Sequence, residues 1–374
     1  MRIGILLHSL NESMGGIGVY TQEIARALLC VDQSNEYVLL YPGFGKAGSR
    51  RGQFRRFKNA VEVETAWSRV PLETYWDQVV IPRVATQHAL DVVFNPHLTV
   101  PIRGRFGKVM VLHNVEYHTV PKVYDARMYS WWFLLENFIM PAADRVISLS
   151  QVMTADFRKY VRYPIERVRT IYHGVSDKFH ITPDAERLAR VREEYALPEK
   201  FILFVGNLYP QKNFATLVRA FARIKGDVPH KLIVAGRSRY KFEGDVALVR
   251  ELGLERRVEF VEFVPNDDLV AVYNLADCFV YPSLYESFGL AQLEAMACGC
   301  PVIGANAGAI PEVSGGAALL FNPHDDEELS RAILRVTQDS QLRDDLVRRG
   351  LARAREFTWE RTARETLDVF KELA

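Results

Sequence analysis

Cysteine is scarce in this chain, with 4 among 374 residues, and that scarcity excludes a disulfide framework. Cys298-Gly-Cys300 lies in an apolar helix-to-strand passage rather than in a Cys-x-x-Cys pair. The thiols therefore read as small buried side chains in a reducing compartment. No uninterrupted apolar run reaches the roughly 18 residues that a membrane-spanning helix needs. The opening Arg2-Ile-Gly-Ile-Leu-Leu-His-Ser9 is too short for a secretory signal and reads as a first strand, so the cytoplasm is the expected location. Charge of one sign is missing too. Lys and Arg number 47 against 46 Asp and Glu, a net charge of +1, and no nucleic-acid partner is expected. Neither Asp-x-Asp nor His-x-x-x-His stands at a strand end, so no metal site is expected either.

What the chain does have is length and alternation. At 374 residues it exceeds the usual ceiling for one core, and 48% hydrophobic with 25% charged residues fits a globular protein. Short apolar runs at 3–9, 37–41, 92–94, 108–113, 145–150 and 169–173 are separated by amphipathic segments, among them 17–30 and 75–88. The pattern repeats at 201–206, 231–236, 258–263, 278–281 and 301–303, with helical segments at 217–225, 246–252, 269–276 and 286–298 between them. Strands separated by helices argue parallel sheets with crossovers, so both halves read as Rossmann-like, doubly wound α/β domains. The polar stretch 177–199 suggests the boundary, giving domains at 1–176 and 177–356. Residues 357–374 form a closing amphipathic helix.

Charge is uneven along the chain. Residues 1–173 carry 21 Lys/Arg against 15 Asp/Glu, and the remainder carries 26 against 31. The basic excess gathers in Lys46, Arg50, Arg51, Arg55, Arg56 and Lys58, a run without one acid. Such a run is a solvated loop or a surface for anionic lipid headgroups or a phosphate-bearing acceptor. The aromatic stretch Trp131-Trp-Phe-Leu-Leu-Glu-Asn-Phe-Ile139 falls in the same half. It reads as core, with Glu136 and Asn137 on its polar side, or as a membrane-facing surface.

The densest chemistry lies in Tyr281-Pro-Ser-Leu-Tyr-Glu-Ser-Phe-Gly-Leu-Ala-Gln-Leu-Glu294. Glu286 stands at the mouth of an apolar strand, and Glu294 follows eight positions along the expected helix. Eight helical residues rise about 12 Å, so the two carboxylates would touch opposite ends of one extended ligand. Between them the amides of Phe288, Gly289 and Leu290 offer an anion site at a helix start. A nucleotide diphosphate sugar has that shape. Solvated helix-start charges are the plainer reading of the same two residues.

Three further segments sit where strands end. Phe204-Val-Gly-Asn-Leu-Tyr-Pro-Gln-Lys-Asn-Phe214 offers Lys212 as a point charge for phosphate, with Asn213 as helix cap. Gly15-Gly-Ile-Gly-Val-Tyr20 opens a helix after the first strand as a phosphate loop would, but it is not Gly-x-Gly-x-x-Gly. His113, in Val111-Leu-His-Asn-Val-Glu-Tyr-His118, closes another strand, with Glu116 and His118 as secondary candidates.

Together with Ala276-Asp-Cys-Phe-Val-Tyr-Pro-Ser283 and Gly308-Ala-Ile-Pro-Glu-Val313, the Glu286 segment resembles the Glu-x7-Glu signature of retaining glycosyltransferases. The family has the GT-B fold and is the group 1, or glycosyltransferase family 4, type. The resemblance implies two Rossmann-like domains facing a cleft, with the acceptor in the first, the donor in the second, and the last helix crossing back to the first. It implies metal-independent transfer of a hexose, mannose from GDP-mannose being the first choice, to a glycan or lipid-linked acceptor of bacterial surface polysaccharide. No cofactor is implied beyond the nucleotide diphosphate sugar donor.

By the same resemblance Glu286 orients the donor sugar, His113 contacts it, and Lys212 holds the diphosphate with the amides at 288–290 and the Gly15–Gly16 loop. Gly206, Asn207 and Ser287 line the donor pocket, and Glu294 holds the ribose. Asn207 stands where the family usually has Arg, and His173 where it usually has Asn; His173 receives no catalytic role. A phosphorylase, an epimerase and a silent nucleotide-sugar-binding partner remain open on the same architecture.

Overall fold

The computed structural model describes residues 1–10, 15–43, 52–65, 75–120, 126–236 and 243–373. They divide into two units, one within 1–118, 124–174 and 358–374, the other within 119–123 and 175–357. Each is a parallel sheet with helical crossovers.

In the first unit the strands are β1 (Arg2–Leu6), β2 (Glu36–Pro42), β3 (Ala60–Thr65), β4 (Val92–Asn95), β5 (Gly107–Leu112), β6 (Arg145–Ser148) and β7 (Val168–Thr170). Their order is β3-β2-β1-β4-β5-β6-β7. The register runs without a break from Arg2 opposite Glu36 to Leu6 opposite Leu40. Central strands are buried on both faces, which is why β1 and β4 read as continuous apolar runs instead of alternating. The edge strand β3 alternates polar and apolar residues and was not expected; Val61 on it is exposed.

The closing helix Trp359–Lys371 belongs to this first unit. Thr358 caps it, its Oγ1 accepting from Arg361 N–H at 3.2 Å. Its apolar face buries Trp359, Ala363, Leu367, Val369 and Phe370 beside the helix Gly16–Val31. At its far end Glu372 accepts from Arg145 at 2.8 Å and from Arg169 at 3.1 Å. The helix needs room at its start, where Gly174 lies against the backbone of Thr358 and Trp359.

In the second unit β8 (Phe201–Val205), β9 (Lys231–Ala235), β10 (Val258–Val261), β11 (Cys278–Tyr281), β12 (Val302–Ala305) and β13 (Ala318–Phe321) are ordered β10-β9-β8-β11-β12-β13. Both sheets thus reverse strand order beside their first strand, the switch point of a doubly wound sheet. Among the described residues no helix is long and apolar enough to cross a membrane.

The aromatic stretch divides. Trp132, Leu135 and Ile139 are buried, with Trp132 stacked on Tyr117 at 4.1 Å, whereas Trp131, Phe133, Leu134 and Phe138 are exposed. Glu136 is not on an outer polar side. It accepts from Tyr117 Oη and pairs with His118 Nε2 at 2.8 Å, because a π-helical turn over Leu135–Ile139 rotates it inward. Asn137 folds back to the Phe133 carbonyl.

Gly174→Ala tests the seating of the last helix. A Cβ there would lie 2.6 Å from Trp359 Cα, with nearer overlaps on the same backbone, and overpacking against backbone costs about 1–3 kcal/mol. Thermal unfolding should show a midpoint several degrees lower, while Gly226→Ala, whose Cβ meets nothing within 4 Å, should leave it unchanged.

Candidate active site

Parallel strands direct their carboxyl ends to one edge of a sheet, where ligands bind in doubly wound folds. In the second unit that edge is built by three turns. After β8, Gly206 (φ +147°) lies against Gly236 (φ +158°), where a Cβ would fall 2.6 Å from Gly206 C. Pro210–Lys212 then forms one tight helical turn. Asn213 follows in the left-handed region at φ +54°. Its side chain does not cap the helix Phe214–Ile224, contrary to expectation, because the amide is spent elsewhere. Nδ2 donates to Pro282 O at 3.0 Å and Pro323 O at 2.7 Å, and Oδ1 accepts from Thr216 Oγ1 at 2.8 Å. One side chain so ties together the segments that follow β8, β11 and β13.

Lys212 and Glu286 meet at this edge. Nζ donates to Glu286 Oε1 at 2.6 Å, with the two side chains 18% and 12% exposed, and the ammonium lies 5.5 Å from the centre of the Tyr281 ring. A pair this shielded holds because each charge answers the other; removing one partner leaves the other uncompensated. Gly308 (φ +53°) fixes the backbone beneath it. A Cβ there would lie 2.6 Å from Glu286 N and 2.7 Å from Glu286 O, and Ala309 N–H donates to Glu286 O at 2.9 Å.

That last bond also explains a departure from the expected helix. A helix beginning at Glu286 would give its carbonyl to Leu290 N–H, but Ala309 takes it, and Gly289 turns left-handed at φ +92°. The helix is Leu290–Ala297. Glu286, Ser287 and Phe288 are extended or bent chain before it, so the 12 Å rise estimated for helix does not describe the separation of the two carboxylates. Gly289 and Leu290 still open a helix N-terminus, where backbone N–H groups lack intrahelical acceptors. Phe288 is buried, edge-on to Phe357 at 5.8 Å.

Glu294 lies in different surroundings. It is 9% exposed, and Tyr273 Oη donates to its Oε2 at 3.4 Å. Burial raises its carboxyl to about 7, against a smaller lowering by the Tyr273 hydrogen bond. It is therefore not the solvated helix-start charge of the plainer reading.

In the first unit four histidines follow four strands: His8 after β1, His97 after β4, His113 after β5 and His173 after β7. His8 Nε2 and His97 Nδ1 lie 3.4 Å apart, and the His113 and His173 rings are 6.2 Å apart around Tyr20. Burial lowers His8 and His113 to about 3 and His97 to about 4, and it lowers His173 as well. The cluster is neutral at physiological pH. His113 Nε2 lies 2.9 Å from Pro96 O; a carbonyl only accepts, so Nε2 carries the proton and Nδ1 keeps a lone pair. His173, given no role from sequence, is also stacked on Trp359 at 5.7 Å.

Lys212, Glu286 and Gly206 thus come together, since a Gly206 Cβ would be 4.0 Å from Lys212 Cε. Glu294 keeps separate company with Tyr273. Asn207 O accepts from Tyr209 N–H at 3.0 Å. His113, Gly15 and Gly16 belong to the other unit. Gly15 and Gly16 are exposed, with nothing within 4 Å of a Cβ at either, so the chain's own packing does not require glycine there. Among the described residues no three His, Cys, Asp or Glu converge as metal ligands would. Sequence reasoning missed the His8–His97 pair, although both follow strands, and the part of Gly308 in seating Glu286.

Residues 187–353 match the family model for glycosyl transferases group 1, and residues 14–179 match that for glycosyltransferase family 4. The O-antigen chain mannosyltransferase B of Escherichia coli is 30% identical over 99% of this chain and 100% of its own length. The serotype-specific mannosyltransferase WbdA of Escherichia coli is 32% identical over 62% of this chain, which spans only 29% of WbdA. In structure the chain resembles sucrose-phosphate synthase from Thermosynechococcus elongatus, with a TM-score of 0.78 at 22% identity, covering 100% and 98% of the two chains.

The buried carboxyl of Glu294 predicts a signed dependence of stability on pH. Its folded value, about 7, exceeds the usual 4.5. Stability from this group is complete below about 4.5 and falls as pH rises toward 7. Glu294→Gln should unfold at the same temperature as the parent near pH 4 and at a higher one at pH 8; equal midpoints at both would contradict the assigned burial.

Proposed function

The chain belongs to the group 1 glycosyltransferases of the GT-B fold, and from that premise we propose that it transfers a mannose-type hexose from a nucleotide diphosphate sugar, with retention of configuration and without a metal ion. The acceptor is a glycan or lipid-linked saccharide of bacterial surface polysaccharide. One relative that matches along its whole length is an O-antigen chain mannosyltransferase, which favours mannose and this acceptor class.

Lys212 and Glu286 carry the assignment. A cation and a carboxylate held 2.6 Å apart at the carboxyl edge of a parallel sheet suit the two ends of a sugar–phosphate bond. An ammonium has three donors, so Lys212 can keep Glu286 and still hold a diphosphate oxygen. The amides at 288–290 add donors for the departing charge, the largest electrostatic contribution expected. Glu286 orients the sugar hydroxyls. His113, neutral with a lone pair on Nδ1, offers a hydrogen-bond acceptor at a strand end of the first unit. Glu294 holds the ribose. The acceptor hydroxyl attacks the face that the diphosphate leaves, and the leaving phosphate oxygen takes its proton.

The work is assigned to the cytoplasmic face of a bacterial membrane. Trp131, Phe133, Leu134 and Phe138 expose apolar area, and Arg55, Arg56 and Lys58 are exposed; Lys46, Arg50 and Arg51 lie outside the described residues. Each Lys or Arg near anionic lipid contributes about 1 kcal/mol.

Kinetics test the donor site. Glu286→Ala should cut kcat by orders of magnitude, Glu294→Ala and Lys212→Ala should chiefly raise the donor KM, and the parent should keep its activity in excess chelator. Gly308→Ala, which displaces the Glu286 backbone, should lower kcat to a lesser degree. Near-normal turnover of folded Glu286→Ala would remove its role, and chelator loss restored by magnesium or manganese would remove metal independence.

Co-sedimentation tests the membrane. Binding to anionic vesicles should be strong at low salt, weak at high salt, and reduced both by joint neutralisation of Arg50, Arg51, Arg55 and Arg56 and by Phe133→Ser with Phe138→Ser. Binding indifferent to salt and to all these changes would overturn the assignment.

A further inference from the structure

Glu294 has one hydrogen-bonding side-chain partner among the described residues, and it comes from another helix. Tyr273 sits on the helix Asn266–Leu275, completely buried. Its ring is held edge-on by Phe179 at 6.1 Å and by Phe279 at 5.7 Å. Phenylalanine would fill the same volume and make the same ring contacts. The hydroxyl adds only a polar group in an apolar layer, which is costly unless it finds a partner. Its partner is Glu294 Oε2 at 3.4 Å.

Burial and the neighbouring Glu294 carboxylate keep the phenol protonated, well above its usual range, so toward the carboxylate it acts as a donor. The other titratable groups around the pair are the Cys298 and Cys300 thiols and the Tyr281 phenol. Burial pushes Cys298 up to about 12 and raises Cys300 as well, so both thiols stay neutral. Among the described residues no cation acts on Glu294. The carboxyl group is therefore oriented by a single neutral donor, itself fixed by two aromatic rings.

We propose that Tyr273 is the positioning residue of the ribose subsite: by donating to Oε2 it fixes the carboxyl plane of Glu294 and turns Oε1 toward the ribose hydroxyls of the donor. This rests on the reading of Glu294 as the ribose-holding residue. Tyr273 touches no donor atom in this role; it acts through Glu294. The consequence is selectivity for ribose over 2′-deoxyribose, because a carboxylate free to rotate grips one hydroxyl nearly as well as two.

Calorimetric binding separates the possibilities. Adenosine, guanosine, uridine and cytidine diphosphates are first ranked by thermal stabilisation of the full chain, and the best is compared with its 2′-deoxy form. The parent should prefer the ribonucleotide by on the order of tenfold, the worth of one charge-assisted hydrogen bond. Tyr273→Phe should narrow that preference severalfold while the ribonucleotide still binds, and Glu294→Ala should abolish it. Should Tyr273→Phe fail to fold, Tyr273→Met, a flexible filler of the same space, supplies the variant without a hydroxyl.

A parent with no preference, or with no affinity for any of the four diphosphates, would overturn the ribose reading of Glu294 and this proposal with it. A parent preference abolished in Glu294→Ala but intact in Tyr273→Phe would overturn the role of Tyr273 alone.

Discussion

Burial of both faces of a parallel sheet is the constraint from which the rest of this molecule follows. Strands such as β1, β4, β8 and β11 are enclosed above and below and have little place for a polar side chain. Polar chemistry is displaced to the turns at the strand ends. In the first unit these turns hold four neutral imidazoles, and in the second a lysine–glutamate pair, a knot of hydrogen bonds made by the Asn213 amide, and several left-handed glycines. Each sheet makes an apolar floor, and its turns carry the polar groups.

The two carboxylates of the second unit show how environment divides labour between identical groups. Glu286 is answered by a full positive charge at 2.6 Å. Glu294 meets a phenol and thiols, and its carboxyl titrates near 7. The difference comes from what each residue faces. Gly308 and Ala309 hold Glu286 in extended chain toward Lys212, while the helix Leu290–Ala297 carries Glu294 into the layer between helices. The first carboxylate is held against a cation and the second is enclosed in an apolar layer.

Much of this was legible in the sequence. Apolar runs separated by amphipathic segments located most strands and the doubly wound architecture, because fully buried strands leave a strong signal. The edge strand β3 escaped, since Ala60–Thr65 alternates valine with glutamate and lacks the continuous apolar run that marks the buried strands. Lys212 and Glu286 were legible as candidates, but their pairing was not, because it depends on two turns 74 residues apart. The helix start was misplaced at Glu286 because nothing local announces that Ala309 takes its carbonyl. Asn213 looked like a helix cap because asparagine is one so often; its real partners, Pro282 and Pro323, are distant in sequence. The inward turn of Glu136 depends on a π-helical turn that ordinary helical periodicity does not anticipate.

The closing helix of the first unit is separated from the rest of it in sequence, with residues 175–357 of the second unit inserted between Gly174 and Thr358. During synthesis the ribosome therefore delivers the seven strands of the first sheet early, and the helix that buries Trp359, Leu367 and Phe370 only after the second unit has emerged. At roughly 5–20 residues per second, the surface awaiting that helix stays uncovered for some ten to forty seconds. The second unit has all its strands in that interval, while the first still lacks its closing helix. In the nascent chain that apolar surface has no cover until the helix Trp359–Lys371 emerges to bury it.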